Sequence, residues 1–270
     1  MDPGPAAGLA ELIEPYSSGN PYETVELLNA LRRDGLLVAT AEGWRWDNAA
    51  VATHLDRTEV TALLAARVAA VPPASREVLE AMACLGGRAE ASVLRTALGV
   101  PGGAVDQALA AALDEGLLVV EPGAREAMRF RHDRIREVIL TGLEPSQRRT
   151  LRLAMARRLA EVPELFAVAA EQYLPVVDAL EDAERHAVVG LLRHAADQAK
   201  VTGDYSRASA HLAAAVRLVE PEETTTLVEV HTARHAALFS LGRLGAADEE
   251  YRVIAALHPT AVQRADATTV

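Results

Sequence analysis

The chain has 270 residues, of which half are hydrophobic and only 4% are aromatic, and its formal net charge is -11. A chain of this length can bury a sizeable core in two domains, and this composition favours packed helices over a β-sandwich. The negative charge argues against general binding to nucleic acid or to an anionic membrane, because a basic surface drives both. A single cysteine, Cys84, excludes an intrachain disulfide and a cysteine-based metal cluster, and its apolar neighbours predict a buried thiol.

The sequence also bears on the cellular location and on the charge distribution. No basic and apolar leader opens the chain, and no apolar run approaches membrane-spanning length, so we expect a soluble, cytoplasmic protein. Residues 125–158 carry ten arginines and four acidic residues, a local charge of +6, which leaves -17 for the rest of the chain.

The N-terminal part predicts two helices and a hairpin. Leu9, Leu12 and Ile13 indicate a short helix that stops before Pro15. A second helix begins near Pro21 and ends at Asp34-Gly35, where the glycine acts as a C-cap. Leu36-Leu37-Val38 and Trp44-Arg45-Trp46 are predicted to pair as a β-hairpin, and the two tryptophans share one face that packs onto the helices.

The middle of the chain predicts more helices and a second hairpin. A helix from Thr58 to Val71 is followed by three short ones, over 75–85, 89–98 and 104–115. Leu117–Val120 and Ala127–Phe130 are predicted to pair across Glu121-Pro122-Gly123. Three short helices followed by a two-stranded hairpin form the winged-helix arrangement. Its third helix, Ala104 to Glu115, has no basic residue, which argues against entry into a DNA major groove.

The C-terminal part predicts helices throughout, with an internal repeat. A helix opened by Asp133 runs to Leu143, and another runs from Pro145 through Arg158. Further on, Gly203, Tyr205, Ala208 and Leu212 recur as Gly242, Leu244, Ala247 and Tyr251 at an offset of 39. This template is typical of tetratricopeptide-like helix pairs. Because no polar capping helix precedes the end at Ala265 to Val270, we expect the chain to be a segment of something longer.

Three stretches carry a resemblance to a known family. They are Ser18 to Leu28 (Ser-Gly-Asn-Pro-Tyr-Glu-x-x-Glu-Leu-Leu), Gly35-Leu36-Leu37 with Trp44-Arg45-Trp46, and Phe130 to Glu137. They resemble the lid and the end of the winged-helix domain in bacterial STAND-class (AAA-like) signalling ATPases. Such ATPases occur fused to Ser/Thr kinase, histidine kinase, cyclase or LuxR-type output domains. The resemblance covers Leu9 to Arg158 and extends more weakly over the helical remainder.

The resemblance implies a set of nucleotide contacts. In the family, the lid and the winged helix clasp ADP together with a P-loop domain, and a helical-repeat sensor releases it. It implies that Pro21 packs by the adenine and that His132 reaches the β-phosphate; Arg131 stands where the family motif has methionine. A histidine at the start of a helix lies near backbone N–H groups and a positive dipole end, which favour an anion. Arg131, Arg134 and Arg136 are expected to reinforce that preference.

The P-loop itself is missing from this sequence. Phosphate binding in this class needs Gly-x-x-x-x-Gly-Lys-Ser/Thr, and the only lysine, Lys200, lies in Ala-Lys-Val-Thr-Gly. The chain alone is therefore predicted to be no enzyme and to bind no cofactor. ADP or ATP with Mg²⁺ is expected only where a P-loop domain precedes it.

Each candidate residue also has a purely structural interpretation. Asp133 can serve as a helix N-cap with His132 merely exposed, and Pro21 can simply start a helix. The arginines of residues 148–158 are expected to form a solvated face or intramolecular salt bridges. His231 and His235 are four residues apart, but no third metal ligand is evident, so we expect a surface pair. No Gly-x-Ser-x-Gly or His-Glu-x-x-His motif supports hydrolase chemistry.

The sequence thus predicts a mainly α protein in three parts: residues 1–57 as a small helical lid with a β-hairpin, 58–143 as a winged-helix domain and 144–270 as a tetratricopeptide-like antiparallel helical array. The expected function is that of a non-catalytic regulatory segment of a STAND-type ATPase. Its expected partners are a P-loop domain, an output domain and a protein or ligand at the repeats, with no direct nucleic acid and no membrane. The alternative is a nucleotide-independent helical-repeat adaptor.

Overall fold

The computed structural model describes residues 5–17, 19–41, 43–56, 60–121 and 127–257. It is 75% helical, with fourteen α-helices and two small antiparallel sheets in the described ranges, which confirms the mainly α class. The chain divides into two compact units, Met1–Ala91 with Gly102–Glu144, and Ser92–Pro101 with Pro145–Val270. The predicted boundaries at residues 57 and 143 stay a prediction.

The first unit begins with two helices, a hairpin and two more helices. The elements are α1 (Pro5–Ser17), α2 (Pro21–Arg33), β1 (Leu37–Thr40), β2 (Gly43–Trp46), α3 (Asn48–Leu55) and α4 (Val60–Ala70). Strands β1 and β2 are antiparallel, with Leu37 opposite Trp46 and Thr40 opposite Gly43. The predicted second helix and first hairpin are therefore confirmed.

In this region one prediction was wrong, and one helix was not predicted. Helix α1 does not stop before Pro15 but continues to Ser17. Pro15 is tolerated in the last turn because its missing N–H affects a single hydrogen bond, and Ile13 and Ser17 on either side of it are buried. The helix α3 was missed altogether. The carboxylate of Asp47 caps it by accepting a hydrogen bond from the Ala50 N–H at 2.9 Å, and this is a recognisable helix-start signal.

The rest of the first unit surrounds a three-stranded sheet. It comprises α5 (Pro73–Cys84), β3 (Arg88–Glu90), α7 (Gly102–Asp114), β4 (Leu118–Val120), β5 (Ala127–Phe130) and α8 (Asp133–Gly142). Strand β5 lies in the centre, antiparallel to both β3 and β4, so the predicted second hairpin is confirmed. Cys84 is buried, as predicted.

The predicted helix from Ala89 to Leu98 was wrong at its start. Residues Arg88–Glu90 form β3, and the helix α6 covers only Ala91–Leu98. Ala89 pairs with Met128 of β5 across the sheet, a long-range interaction that overrides the local helical pattern.

The second unit is helical in all of its described elements. Besides α6 it contains α9 (Pro145–Ala160), α10 (Phe166–Tyr173), α11 (Asp182–Val201), α12 (Tyr205–Val216), α13 (Thr224–Ser240) and α14 (Leu244–Ala256), with 3₁₀ turns at Pro163–Leu165 and Leu174–Ala179. Successive helices from α9 to α14 pack on one another around a core rich in alanine, leucine and valine. In the sequence repeat, Gly203 joins α11 to α12 and Gly242 joins α13 to α14, while Ala208 and Ala247 are both buried.

Some predictions fall outside the described residues. They concern Ser18 of the first motif, the hairpin residues Glu42, Pro122 and Gly123, the proposed helix start at Thr58, and the chain end from Ala265 to Val270.

Candidate functional site

The turn between β5 and α8 places His132 at the start of a helix. Phe130 ends β5 with a buried side chain, and the Arg131 N–H donates to the Leu117 carbonyl oxygen at 3.0 Å. This hydrogen bond keeps the chain extended, so His132 is the N-cap, with φ -145° and ψ 146°. The alternative prediction that Asp133 caps the helix was wrong, because Asp133 is the first helical residue.

A cavity of 440 Å³ in the first unit brings together the three predicted site residues. We call it the His132 cavity, and its lining residues are Pro21, Val25, Glu26, Asn29, Arg67, Asp114, Glu115, Gly116, Arg131 and His132. Helix α2 contributes four of these residues, α4 contributes Arg67, and the end of α7 contributes the turn that contains Gly116. Pro21 is the first residue of α2 and also lines the cavity, so the helix-start interpretation and the cavity position are compatible.

An ion pair that the sequence analysis did not single out lies in this cavity. The Arg67 guanidinium Nη1 is 2.5 Å from the Glu26 carboxylate Oε2, and a second nitrogen of the same group donates to the Glu115 carbonyl oxygen. The side chains of Glu26 and Arg67 are only 5% and 15% exposed. A buried ion pair with these extra hydrogen bonds ties α2, α4 and the end of α7 together.

Two arginines converge on Gly116. A Cβ atom placed there would lie 3.6 Å from one guanidinium nitrogen of Arg131 and 3.6 Å from one of Arg67. The missing side chain thus leaves both cations facing the same part of the cavity. Arg67 is already paired with Glu26 and donates to the Glu115 carbonyl oxygen, and Asp114 also lines the cavity. Arg131, beside the first turn of α8, is therefore the cation suited to a phosphate or carboxylate.

Two of the arginines expected to reinforce this site do not line it. Arg134 donates to the Glu137 carboxylate at 3.0 Å and to the Thr61 hydroxyl at 3.2 Å. Arg136 donates to the Ala83 carbonyl oxygen at 3.0 Å. That part of the prediction was wrong because the side chain of Arg134 reaches Thr61 of α4 and that of Arg136 reaches Ala83 of α5, and neither is among the residues that line the cavity. Arg67 lines the cavity instead. Its only signal in the sequence is that it is the single charged residue in the apolar helix α4.

The pKa of His132 is lowered from its ordinary value. Partial burial is the largest cause, and the positive charge of Arg131 adds to it, while the carboxylates of Glu26 and Asp133 act in the opposite direction. The imidazole therefore stays neutral at pH values where a free histidine gains a proton. An anion placed beside it would reverse this effect by favouring the imidazolium.

The second unit contains two polar clusters of a different kind. His231 Nδ1 lies 2.6 Å from the Glu250 carboxylate, and Arg234 pairs with the same carboxylate. His231 is buried, so the predicted surface pair of histidines was wrong, because the carboxylate of α14 satisfies the ring inside the α13–α14 interface. Elsewhere, the buried His211 lies 3.4 Å from Glu171. No group of three or more potential metal ligands occurs within the described ranges.

The arginines of α9 form ion pairs and hydrogen bonds, as one of the two sequence interpretations predicted. Arg157 Nη2 is 2.8 Å from Glu184, and Arg152 donates to the Gln172 side chain at 3.1 Å. Arg158 donates to the Ala97 carbonyl oxygen at 3.0 Å. Inside the second unit, Arg157 is thus paired with an acidic residue, and Arg152 and Arg158 are hydrogen-bonded to neutral acceptors.

Comparison with known proteins adds no assignment. The chain matches no protein-family model, no curated protein and no solved structure. In the part of the chain that the structure describes, no helix combines the length and the apolar surface that are needed to span a bilayer. The geometry of the site is therefore the basis for assigning a function.

Proposed function

We propose that this chain is a regulatory, non-catalytic segment of a STAND-type signal-transduction ATPase. In this proposal its first unit comprises a lid and a winged-helix domain that close over an adenine nucleotide, and its second unit is a tetratricopeptide-like sensor. The single observation that carries the proposal is the His132 cavity. Pro21 begins α2, the neighbouring Arg131 and His132 precede α8 more than a hundred residues later in the sequence, and all three line the same cavity.

The chemistry of the cavity supports an anionic ligand. Arg131 supplies a guanidinium group that faces Gly116, and His132 supplies a ring at the first turn of α8, while Arg67 is held beside them by its pair with Glu26. Arg131 and His132 would hold a phosphate group, and Pro21 would contact the base. A bound nucleotide would thereby link α2, α4 and α8 in one closed arrangement. The sequence has no P-loop lysine, so the remaining phosphate ligands and Mg²⁺ would come from a P-loop domain.

The coding sequence upstream of the Met1 codon provides the first test. An in-frame segment that encodes Gly-x-x-x-x-Gly-Lys-Ser/Thr supports the proposal. A stop codon shortly upstream, in the same frame, contradicts the ATPase parent.

Nucleotide retention provides the second test, in the protein that contains both the P-loop and this chain. We expect His132→Ala to release bound ADP faster and to raise the basal output. His186→Ala is the matched control, because His186 is exposed on α11 in the second unit. ADP retention that is equal in the His132→Ala protein and in the wild type would remove the proposed role of this residue. The isolated chain is expected to show no ADP binding by calorimetry.

A nucleotide-independent adaptor is the second candidate, and one observation favours it. Four large apolar side chains of α13 and α14 are 37–55% exposed: Phe239, Leu244, Tyr251 and Val253. Exposed apolar side chains in a helical array are a common basis for protein binding. In this case Tyr251→Asp abolishes binding of a partner protein, and ADP has no influence on that binding. A partner whose affinity changes with ADP would instead support the first proposal.

A further inference from the structure

A second cavity, of 580 Å³, lies between α1, α2 and the first hairpin. We call it the tryptophan cavity, because Trp44 and Trp46 of β2 line it. Its volume lies within the range of about 300 to 1,000 Å³ that is typical of small-molecule sites. It is separate from the His132 cavity, although Val25 and Asn29 of α2 contribute to both.

The inner surface of the tryptophan cavity is apolar and well packed. Leu9 and Ile13 of α1 and Leu37 of β1 line it, and they are 9%, 1% and 6% exposed. These residues belong to the core of the first unit and hold the inner surface in place. The cavity is therefore formed by ordered elements on three sides.

The rim of the tryptophan cavity is apolar but exposed. Trp44 and Val25 are both 51% exposed, which is unusual for large apolar side chains so close together. The alternation of β2 directs Trp44 and Trp46 to the same face, and the indole N–H of Trp46 donates to the Asn48 side chain at 2.8 Å. That hydrogen bond fixes Trp46, while Trp44 remains available for contact with a ligand.

One charged group lies at this rim. The Arg32 guanidinium carbon lies 5.3 Å from the centre of a Trp44 ring, in cation–π geometry. Arg32 also lines the cavity, in the last turn of α2. The cavity therefore combines an apolar interior, an aromatic wall and one positive charge at its entrance.

We infer that the tryptophan cavity binds a small amphipathic anion: a molecule with a flat or aliphatic apolar body and one carboxylate, sulfonate or phosphate group. The apolar body fills the space beside Leu9, Ile13 and the two indoles. The anionic group pairs with Arg32 at the rim. The single guanidinium at the rim and the volume of 580 Å³ favour this occupant over a protein helix or a second copy of the chain.

The two tryptophans make the test specific. They are the only tryptophans in the chain, and both line this cavity. Anilinonaphthalene sulfonate serves as the anionic probe, and phenylnaphthylamine serves as its uncharged analogue. Energy transfer from tryptophan to the bound probe reports binding near the two indoles. Arg32 lines the tryptophan cavity and is not among the residues of the His132 cavity, so a variant at Arg32 distinguishes the two. We expect saturable quenching of tryptophan emission by each probe, at one equivalent per chain.

Two variants test the chemistry of the site. Arg32→Gln is expected to weaken binding of the sulfonate probe by at least about fivefold and to leave the uncharged probe within about twofold. Arg33→Gln is its matched control, because it removes the same charge from the next residue of α2. Val25→Asp is expected to weaken the binding of both probes by about tenfold, because it places a carboxylate at the apolar rim. Val201→Asp is its control and should have no effect, because Val201 is exposed at the end of α11.

Three results would overturn the inference. The first is the absence of saturable tryptophan quenching in the wild-type chain. The second is an equal loss of both probes in Arg32→Gln, which would show that the charge recognises no anion. The third is probe binding that strengthens on dilution, together with a fall in the sedimentation coefficient. Dilution would then be separating two copies of the chain, and the second copy would be the occupant that covers the cavity.

Discussion

The first unit contains two segments that begin alike and end differently. In each, a helix ends at a glycine and a leucine-rich strand follows: α2 with Gly35, and α7 with Gly116. The Gly35 N–H donates to the Arg32 carbonyl oxygen at 3.2 Å, and the Gly116 N–H donates to that of Leu113 at 2.8 Å. In both segments the following leucine N–H donates five residues back, so the two caps are Schellman motifs.

Beyond the cap the two segments diverge. The first hairpin keeps two strands, and Leu37 is the only buried residue among the described positions of β1 and β2. The second hairpin gains β3 as a third strand and buries Ala127, Met128 and Phe130. The local sequence determines the cap and the turn, whereas the contribution to the core depends on a strand that comes from elsewhere in the chain. The open first hairpin is what leaves the tryptophan cavity accessible.

The largest expected effect tests this difference in burial. Phe130→Ala should lower the free energy of unfolding of the first unit by about 3 to 5 kcal/mol, because it removes a fully packed ring from β5. Trp44→Ala, on the second strand of the first hairpin, should cost about 1 kcal/mol or less, because half of that residue is already exposed. Urea unfolding followed by circular dichroism measures both changes. Equal losses would contradict the contrast between the two hairpins.

The next effect concerns the ion pair between Glu26 of the first segment and Arg67 of α4, which also donates to the Glu115 carbonyl oxygen of the second segment. Arg67→Met should cost about 3 kcal/mol, because the Glu26 carboxylate stays buried without its cation. The double variant Glu26→Leu with Arg67→Met should recover most of that loss, since it buries no charge. Arg193→Met is the matched control, because its pair with Glu229 is exposed and should contribute about 1 kcal/mol or less. The same unfolding curves measure all three variants, and a loss in Arg67→Met as small as that in Arg193→Met would argue against a buried pair.

Prediction from the sequence succeeds where the signal is local. Proline at the start of α2, glycine at its end and alternating apolar residues in the hairpins are contained in short windows, and the structure agrees with them. It fails at β3 because Arg88–Glu90 becomes a strand only by pairing with β5, some forty residues away. It fails at His231 for the same reason, because the Glu250 carboxylate that satisfies the ring lies on the next helix.

The candidate site follows the same rule. Pro21, Arg131 and His132 were proposed from short motifs, and whether they bind a nucleotide stays a prediction. Arg67 could not be found in this way, because its importance depends on Glu26, which is 41 residues away, and on the carbonyl group of Glu115. An isolated arginine in an apolar helix is a weak signal on its own. Only the folded arrangement relates it to the cavity.

A smaller effect is expected at the two glycine caps, and here the segments should behave alike. Both glycines have positive φ, 70° at Gly35 and 66° at Gly116, which costs a residue with a side chain about 1 to 2 kcal/mol. A Cβ atom meets nothing within 4 Å at Gly35 and only ordinary contacts at Gly116, so the backbone alone sets the loss. Gly35→Ala and Gly116→Ala should therefore lower the free energy of unfolding by similar amounts. Gly103→Ala, inside α7, is the control and should be neutral or slightly stabilising; a loss at only one cap would show that the two motifs are not equivalent.

The smallest expected effect is the pH dependence that His132 contributes at the end of the second segment. Its pKa is lowered in the folded state, chiefly by burial and by Arg131, so the unfolded chain binds a proton that the folded chain resists. The contribution of this histidine to stability is therefore complete above the ordinary histidine pKa of about 6.5 and decreases as the pH falls below it. The loss stops growing once the pH is below the folded pKa, because both states are then protonated. Unfolding curves at a series of pH values should show a weaker decline for His132→Gln than for the wild type. An unchanged decline would mean that other groups cause it, and an anion bound beside Arg131 should reduce the decline by favouring the imidazolium.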